Sequence, residues 1–267
     1  MFWVCARPNP RPDFFLHMRL RLQKFIAQSG FCSRRAAERL IIDGKVLLNG
    51  SHIAQIGQSI DPAHDSVCID GHSLKPLHHQ YFLFHKPAMV LCSKKDPAGR
   101  PCFYDLLPSS MHHLVYAGRL DFMSEGLLIL SNDGQFVHHL THPRYGFEKT
   151  YEVWVKGIDH VDLFVNTIVK DGITDSGEYL KASHARILST KNSSYRLEIK
   201  LLEGRNREIR RMVQFFKGKV IRLIRQQMGP YKLEGLEYSK WRSFNSKETN
   251  FIDQILSNNK TNSVCHI

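Results

Sequence analysis

The segment "GRLD" at 118–121 sets one carboxylate, Asp121, just ahead of the apolar run "GLLILS" at 126–131, with the guanidinium of Arg119 two residues before it. An aspartate at such a place most often closes a turn or caps a helix. Beside a cation it also stays ionised and available as a nucleophile or base. The other residue types that could share in chemistry are Tyr151, Lys149 and the arginines at 205, 207, 210 and 211. There is no G-x-S-x-G elbow, no close carboxylate pair for two-acid glycosidic cleavage and no glycine-rich phosphate loop, so serine hydrolysis, that glycosidic route and a nucleotide cofactor are not indicated. Residue types and spacing stop at a single acid among arginines.

Hydrophobic periodicity indicates the elements that must hold these groups. From Arg19 the spacing of Leu22, Phe25 and Ile26 predicts a helix, stopped by Ser29 and Gly30. Ser33 is placed to cap a second helix, with Ala36, Ala37, Leu40 and Ile41 inward and Arg34, Arg35, Glu38 and Arg39 outward. Turn pairs at Asn49-Gly50 and Asp70-Gly71 then mark short strands, and "KPLHHQ" at 75–80 reads as a linker. Beyond it "YFLFHKP" and "MVLCS" read as strands, "KKDPAGRP" as a loop, and "GLLILS" as a strand covered on both faces. "QFVHHL" reads as a short helix with Phe136, Val137 and Leu140 inward. "TYEVWV" and "YRLEIKL" alternate as half-buried strands of an antiparallel or mixed sheet. In "NREIRRMVQFF" an apolar stripe of Ile209, Met212, Val213 and Phe216 opposes Arg207, Arg210, Arg211 and Gln214. The chain after Phe244 reads as a polar tail that frays, apart from "FIDQIL". The expected class is α+β: a leader over 1–18, a small helical-hairpin-plus-strands domain over 19–78, a larger domain over 79–244 on a mixed, mainly antiparallel sheet with flanking helices, and the tail over 245–267.

Charge narrows the partners. The net charge is +12, and residues 19–50 and 203–225 carry 11 of that excess. Clustered positive charge is the footprint of a polyanion binder, most often nucleic acid, against the plainer reading of a basic surface kept for solubility. The six cysteines form no C-x-x-C pair, and the His-His pairs at 78–79, 112–113 and 138–139 have no acid or cysteine partner at ligand spacing. A metal site is therefore not expected, the histidines are read as surface or RNA-facing, and the scattered thiols suit a reducing cytoplasm. No apolar run reaches membrane-spanning length, so no membrane is expected. The first 18 residues read as a disordered leader, or as a misassigned start with Met18 the true first residue.

"RLQKFIAQSGFCSRRAAERLIIDGKVLLNG" resembles the alpha-L RNA-binding motif, the resemblance covering about 19–78. "GRLDFMSEGLLILSNDG" resembles the signature of pseudouridine synthases of the RsuA/RluB type. "FHKPAMVLCSKKDPAGRPCFYDLLP", "EKTYEVWVKG", "EGRNREIRRM" and "VIRLIRQQMGPYKLEGLEYSKWR" match further stretches of that family in order, so that the likeness spans about 19–242. The resemblance implies isomerisation of uridine to pseudouridine in ribosomal RNA without a cofactor. Asp121 would be the essential aspartate, attacking either the ribose anomeric carbon or the base; Tyr151 would stack on the uracil; Arg210 would orient Asp121; Arg119 would fill the space left by the extruded base. RNA contacts are expected from Arg119, Lys24, Arg34, Arg35, Arg39, Lys149, Arg205 and Arg207. The third motif looks more like the large-subunit members, and the family suggests a monomer. Two departures stand out: Ala88-Met89 replace the Arg-Gly common after "KP", and Phe122-Met123 stand where polar residues are common. The competing reading is a non-catalytic RNA-binding or ribosome-assembly protein, which would need neither Asp121 nor Tyr151. Hydrolysis is disfavoured, since no second acid or histidine is placed by motif to activate water.

Overall fold

The computed structural model describes residues 19–257, apart from Ser51 and Ala54. The expected leader and the end of the expected tail lie outside the described residues. The chain forms two compact units: the described residues up to Gln80 together with Ser109–Leu114, and Tyr81–Pro108 together with the chain from Val115 onward.

In the first unit, β1 (Leu20–Arg21) precedes α1 (Leu22–Gln28) and α2 (Arg34–Ile42), followed by β2 (Val46–Leu48), β3 (His52–Ile53), β4 (Ser59–Ile60), β5 (Val67–Ile69) and β6 (His72–Leu74). The helix expected from Arg19 starts at Leu22, because Leu20 and Arg21 are drawn into antiparallel pairing with Ile60 and Ser59. Gly30 ends that hairpin's first arm with φ +76°, and the Ser33 side chain accepts from the Ala36 amide. Asn49-Gly50 and Asp70-Gly71 all have positive φ, the geometry of two-residue hairpin turns whose twist suits the flanking strands. The strand order is β3-β2-β5-β6. Leu22, Phe25, Ile26, Ala37, Ile41, Val46, Val67 and Ile69 are buried together, each large side chain contributing about 1.5–3 kcal/mol. Arg34, Arg35 and Arg39 remain exposed.

The second unit comprises β7 (Tyr81–Lys86), β8 (Val115–Ala117), β9 (Glu125–Ser131), α3 (Gly134–Thr141), β10 (Lys149–Lys156), α4 (Val161–Lys170), β11 (Ile173–Asp175), β12 (Glu178–Leu180), β13 (His184–Lys191), β14 (Ser194–Leu201), α5 (Glu208–Phe215), β15 (Lys219–Met228), β16 (Tyr231–Lys232), β17 (Trp241–Ser243) and α6 (Ser246–Ser257). Its main sheet runs β13-β14-β10-β15-β9-β7-β17, with β16 on β15 and β8 on β9. Among the described strands only β9 and β15 pair in parallel, so the sheet is mixed and mainly antiparallel, as the alternation of β10 and β14 predicts. Every residue of β9 is buried, as its unbroken apolar run requires.

Three expectations are corrected. "MVLCS" is not a strand: Met89 turns at φ +61°, and Leu91 makes only an isolated bridge to Cys102. Up to Ser257 the segment after Phe244 is ordered: α6 lays Ile252 and Ile255 into the core beside Leu83, Phe136 and Tyr231. His139 is not at the surface: α3 buries it, its Nδ1 lies 2.8 Å from the Gln135 carbonyl, and its ring stacks on Tyr145.

Candidate active site

Register across the sheet brings the central residues into one row. Tyr151 on β10 faces Arg225 on β15, Arg225 faces Gly126 on β9, and Gly126 faces Lys86 on β7. Gly126 permits this crossing: it has φ +113°, and a Cβ there would stand 2.4 Å from the Arg225 carbonyl oxygen. No other residue could adopt that backbone while β15 lies so close.

The 119–124 loop enters β9 over two buried cations. Lys86 is fully buried, and its Nζ donates to the carbonyls of Pro87 (2.9 Å), Ser124 (2.8 Å) and Asp121 (3.3 Å). Desolvation pushes its ammonium down to about 8, against the pull of nearby acids that include Asp121. Arg225 is also buried; its Nε donates to the Leu127 carbonyl at 2.8 Å and its Nη1 reaches the Arg119 carbonyl at 3.5 Å. Its Nη2 has no hydrogen-bond partner among the described residues. The loop is thus held by its carbonyls from below, and the Ser124 amide closes a turn on the Asp121 carbonyl at 3.0 Å. Asp121 therefore does form a turn, but with its backbone. Its side chain is left for something else.

That carboxylate, 31% exposed, has Arg210 Nε 3.6 Å and Arg207 Nη1 3.9 Å from Oδ2. Both arginines come from the start of α5, three residues apart on one face, while Ile209, Met212 and Val213 bury the other. Arg210 Nη2 also donates to the Met123 carbonyl (3.0 Å) and the Ser124 hydroxyl (3.2 Å), tying α5 to the loop. Burial lowers the Arg210 pKa and the Asp121 charge opposes that shift. Arg211 points elsewhere, to Asp175 and Glu178.

A cavity of about 340 Å³ opens over this loop, lined among others by Arg119, Asp121, Tyr151, Arg205, Arg207 and Arg210. Leu201, Ile209 and Leu223 supply apolar wall around Tyr151, which is itself buried. The volume falls at the small end of the range for small-ligand pockets. The structure therefore gathers Asp121, Tyr151, Arg210, Arg119, Arg205, Arg207 and Lys149 around one space. Arg205 is partly neutralised by Glu203, 2.9 Å from its Nε. Lys149, on the cavity wall, is 7% exposed, and its Nζ donates to the carbonyls of Phe147, Leu202 and Glu203. Lys24, Arg34, Arg35 and Arg39 belong to the other unit. Lys86, Arg225, Ser124 and Gly126 were not foreseen. The types of the first two gave no signal of this: Lys86 ends "YFLFHK" next to a histidine, and Arg225 stands in "IRLIRQQM" beside a second arginine and two glutamines. Among the described residues no group of three or more His, Cys, Asp or Glu is placed to hold a metal ion, and no helix is long and apolar enough to cross a membrane.

Residues 80–215 match the family model described as RNA pseudouridylate synthase, and residues 20–67 match the S4 domain model. The chain is 36% identical over 232 residues to a protein of Aquifex aeolicus described as an uncharacterized RNA pseudouridine synthase, covering 86% of this chain and 92% of that one. It is 34% identical to the ribosomal large subunit pseudouridine synthase B of Bacillus subtilis, over 85% of this chain and 93% of that relative. A solved structure described as a pseudouridylate synthase superposes with a TM-score of 0.59 at 28% identity, covering 88% of this chain and 99% of the other. With an S4 domain ahead of its catalytic unit, the chain belongs to the RNA pseudouridylate synthase family, enzymes that isomerise uridine in RNA to pseudouridine.

Proposed function

We propose that this enzyme isomerises a specific uridine of ribosomal RNA, in the large subunit, at Asp121. The observation that carries the reading is the Asp121 carboxylate on a cavity wall, flanked by two guanidiniums and sharing the space with a buried tyrosine, while the other carboxylate of that wall, Glu208, is taken up by the Arg205 amide at 2.9 Å. The name of the Bacillus subtilis relative supports the choice of subunit. A uridine within a stem cannot present its glycosidic bond to a carboxylate, so it is flipped out at a cost of about a few kcal/mol. Stacking on Tyr151 offsets roughly 1–3 kcal/mol of that. Asp121, aimed by Arg210, attacks the anomeric carbon or the base. The bond from N1 to the ribose breaks, the uracil turns in place, and C5 bonds to the ribose as the transient bond to the Asp121 carboxylate is released. The proton leaving C5 is matched by one gained at N1, so nothing is added or lost and no cofactor is required. Tyr151 takes part in that closing proton transfer, and Arg119 fills the space left in the RNA.

The exposed edge of α2, with Arg34, Arg35 and Arg39, supplies the grip on the phosphates of a stem-loop, together with Lys24. The protein acts as a monomer in the cytoplasm, where ribosomal RNA is assembled. The test is incubation with unmodified rRNA fragments, carbodiimide treatment and mapping by primer extension. One strong stop is expected for the wild type and none for Asp121→Asn, with RNA binding retained. Equal modification by the variant would remove Asp121 from the mechanism.

A further inference from the structure

The two positions after Asp121 and the loop after β7 carry apolar side chains where the protein faces solvent. Met89 is 60% exposed and Met123 52%, while Phe122 is half-buried beneath the guanidinium of Arg100, 5.9 Å from its ring. Their backbone is held firmly. The Met89 amide donates to the Phe122 carbonyl at 2.7 Å, the Ala88 amide to Tyr238 Oη at 3.1 Å, and Arg210 Nη2 to the Met123 carbonyl. Lys86 Nζ joins both loops from below through the carbonyls of Pro87 and Ser124. Met89 keeps its side chain in a backbone conformation, φ +61°, that glycine adopts freely and other residues adopt at a cost. Strain of this kind persists where the surroundings impose it, and it clusters at functional sites.

The surroundings also narrow the occupant. Arg100 lies over Phe122 with its guanidinium held by both Asp96 carboxylate oxygens at 2.9 Å, while Arg207 and Arg210 bring two guanidiniums to the single carboxylate of Asp121, so the excess positive charge beside these apolar side chains suits an anionic partner with flat apolar faces. Position and chain continuity lead the same way: any RNA that brings a uridine to Asp121 lays its neighbouring nucleotides over residues 122 and 123. We propose that Met89, Phe122 and Met123 form an apolar wedge that takes the stacking places beside the bases adjoining the target uridine. This rests on the function proposed above and extends it to the flanking nucleotides, distinct from the gap assigned to Arg119. Methionine suits the task because its thioether is polarisable and its chain adapts to any base, and methionine is among the side chains used as wedges between base steps. The wedge therefore selects targets whose neighbours unstack readily rather than a particular flanking base.

The test uses the full chain, Met89→Gly, Met123→Ala and the double variant, with the mapped rRNA fragment carrying 2-aminopurine beside the target uridine. A second fragment has the same uridine already unpaired by a mismatch. Met89→Gly is expected to keep or raise the melting temperature, because glycine relieves the positive φ. Single-turnover conversion of the paired fragment falls about tenfold, within the worth of one lost base stack. The 2-aminopurine fluorescence change shrinks, and the mismatched fragment recovers most of the rate. Wild-type rates and fluorescence in all variants, with the wild type active, would overturn the wedge alone. Equal losses on both fragments would also overturn it, since they would report a general distortion of the site. A wild type that forms no pseudouridine on any rRNA fragment would remove the function itself, and the wedge with it.

Discussion

A double-mutant cycle of Asp121→Asn and Arg210→Met measures how strongly the carboxylate is held. Nε of Arg210 lies 3.6 Å from Asp121 Oδ2, and the two side chains are 14% and 31% exposed. At that distance, in an effective dielectric of 20, two unit charges attract by about 4–5 kcal/mol. Solvent reaching Asp121 roughly halves this, so a coupling of about 2 kcal/mol is expected. Arg207 is the internal control: it stands at 3.9 Å but is 54% exposed, and the cycle with Arg207→Met should give less than about 1 kcal/mol. Urea unfolding of the single and double variants at low and high salt reads both couplings, and salt should erode the Arg207 term more. The same Arg210→Met protein is expected to lose about 10²-fold in single-turnover rate, because a carboxylate freed from its orienting partner samples unproductive positions. A coupling with Arg210 below about 0.5 kcal/mol, or equal to that with Arg207, would refute the idea that this arginine aims the acid.

Gly126→Ala would force a Cβ to within 2.4 Å of the Arg225 backbone in a conformation with φ +113°, so a loss of about 3 kcal/mol or more is expected by urea unfolding, among the larger single-residue effects. Lys86, lowered to about 8, has the opposite sign from a stabilising ion pair: the burial cost is present in full below pH 8, where folded and unfolded chains both hold the proton. Between about pH 8 and 10.5 the folded state sheds that proton first, so the wild type should gain up to about 3 kcal/mol relative to Lys86→Met, and a flat difference profile would show that this ammonium is not desolvated. Arg34→Ala/Arg35→Ala on the exposed edge of α2 should weaken RNA binding and reduce the log–log salt slope by about 1–2, measured by filter binding at several salt concentrations; an unchanged slope would remove this edge from the phosphate contacts.

Much of the architecture was written in local pattern. Alternation in β10 and β14 placed Tyr151, Val153, Leu197 and Ile199 inward, the Ser33 cap and the Asn49-Gly50 turn formed where their chemistry demands, and the stripe of Ile209, Met212 and Val213 turned Arg207 and Arg210 to the opposite face of α5. Asp121, Tyr151 and Arg210 could be singled out from motifs because their types and neighbours are local facts. The cradle beneath Asp121 could not. Lysine and arginine are seldom fully buried, and only pairing of β7, β9 and β15 across distant parts of the chain buries Lys86 and Arg225 under one loop. The same holds for Ile252 and Ile255, whose apolar patch looked too short to order a tail until the core offered it a surface. Periodicity reports which face of an element is apolar, and that is decided within a few residues. Which elements become neighbours, and therefore which charges lose their water and which carbonyls receive them, is decided by strand register over the whole sheet.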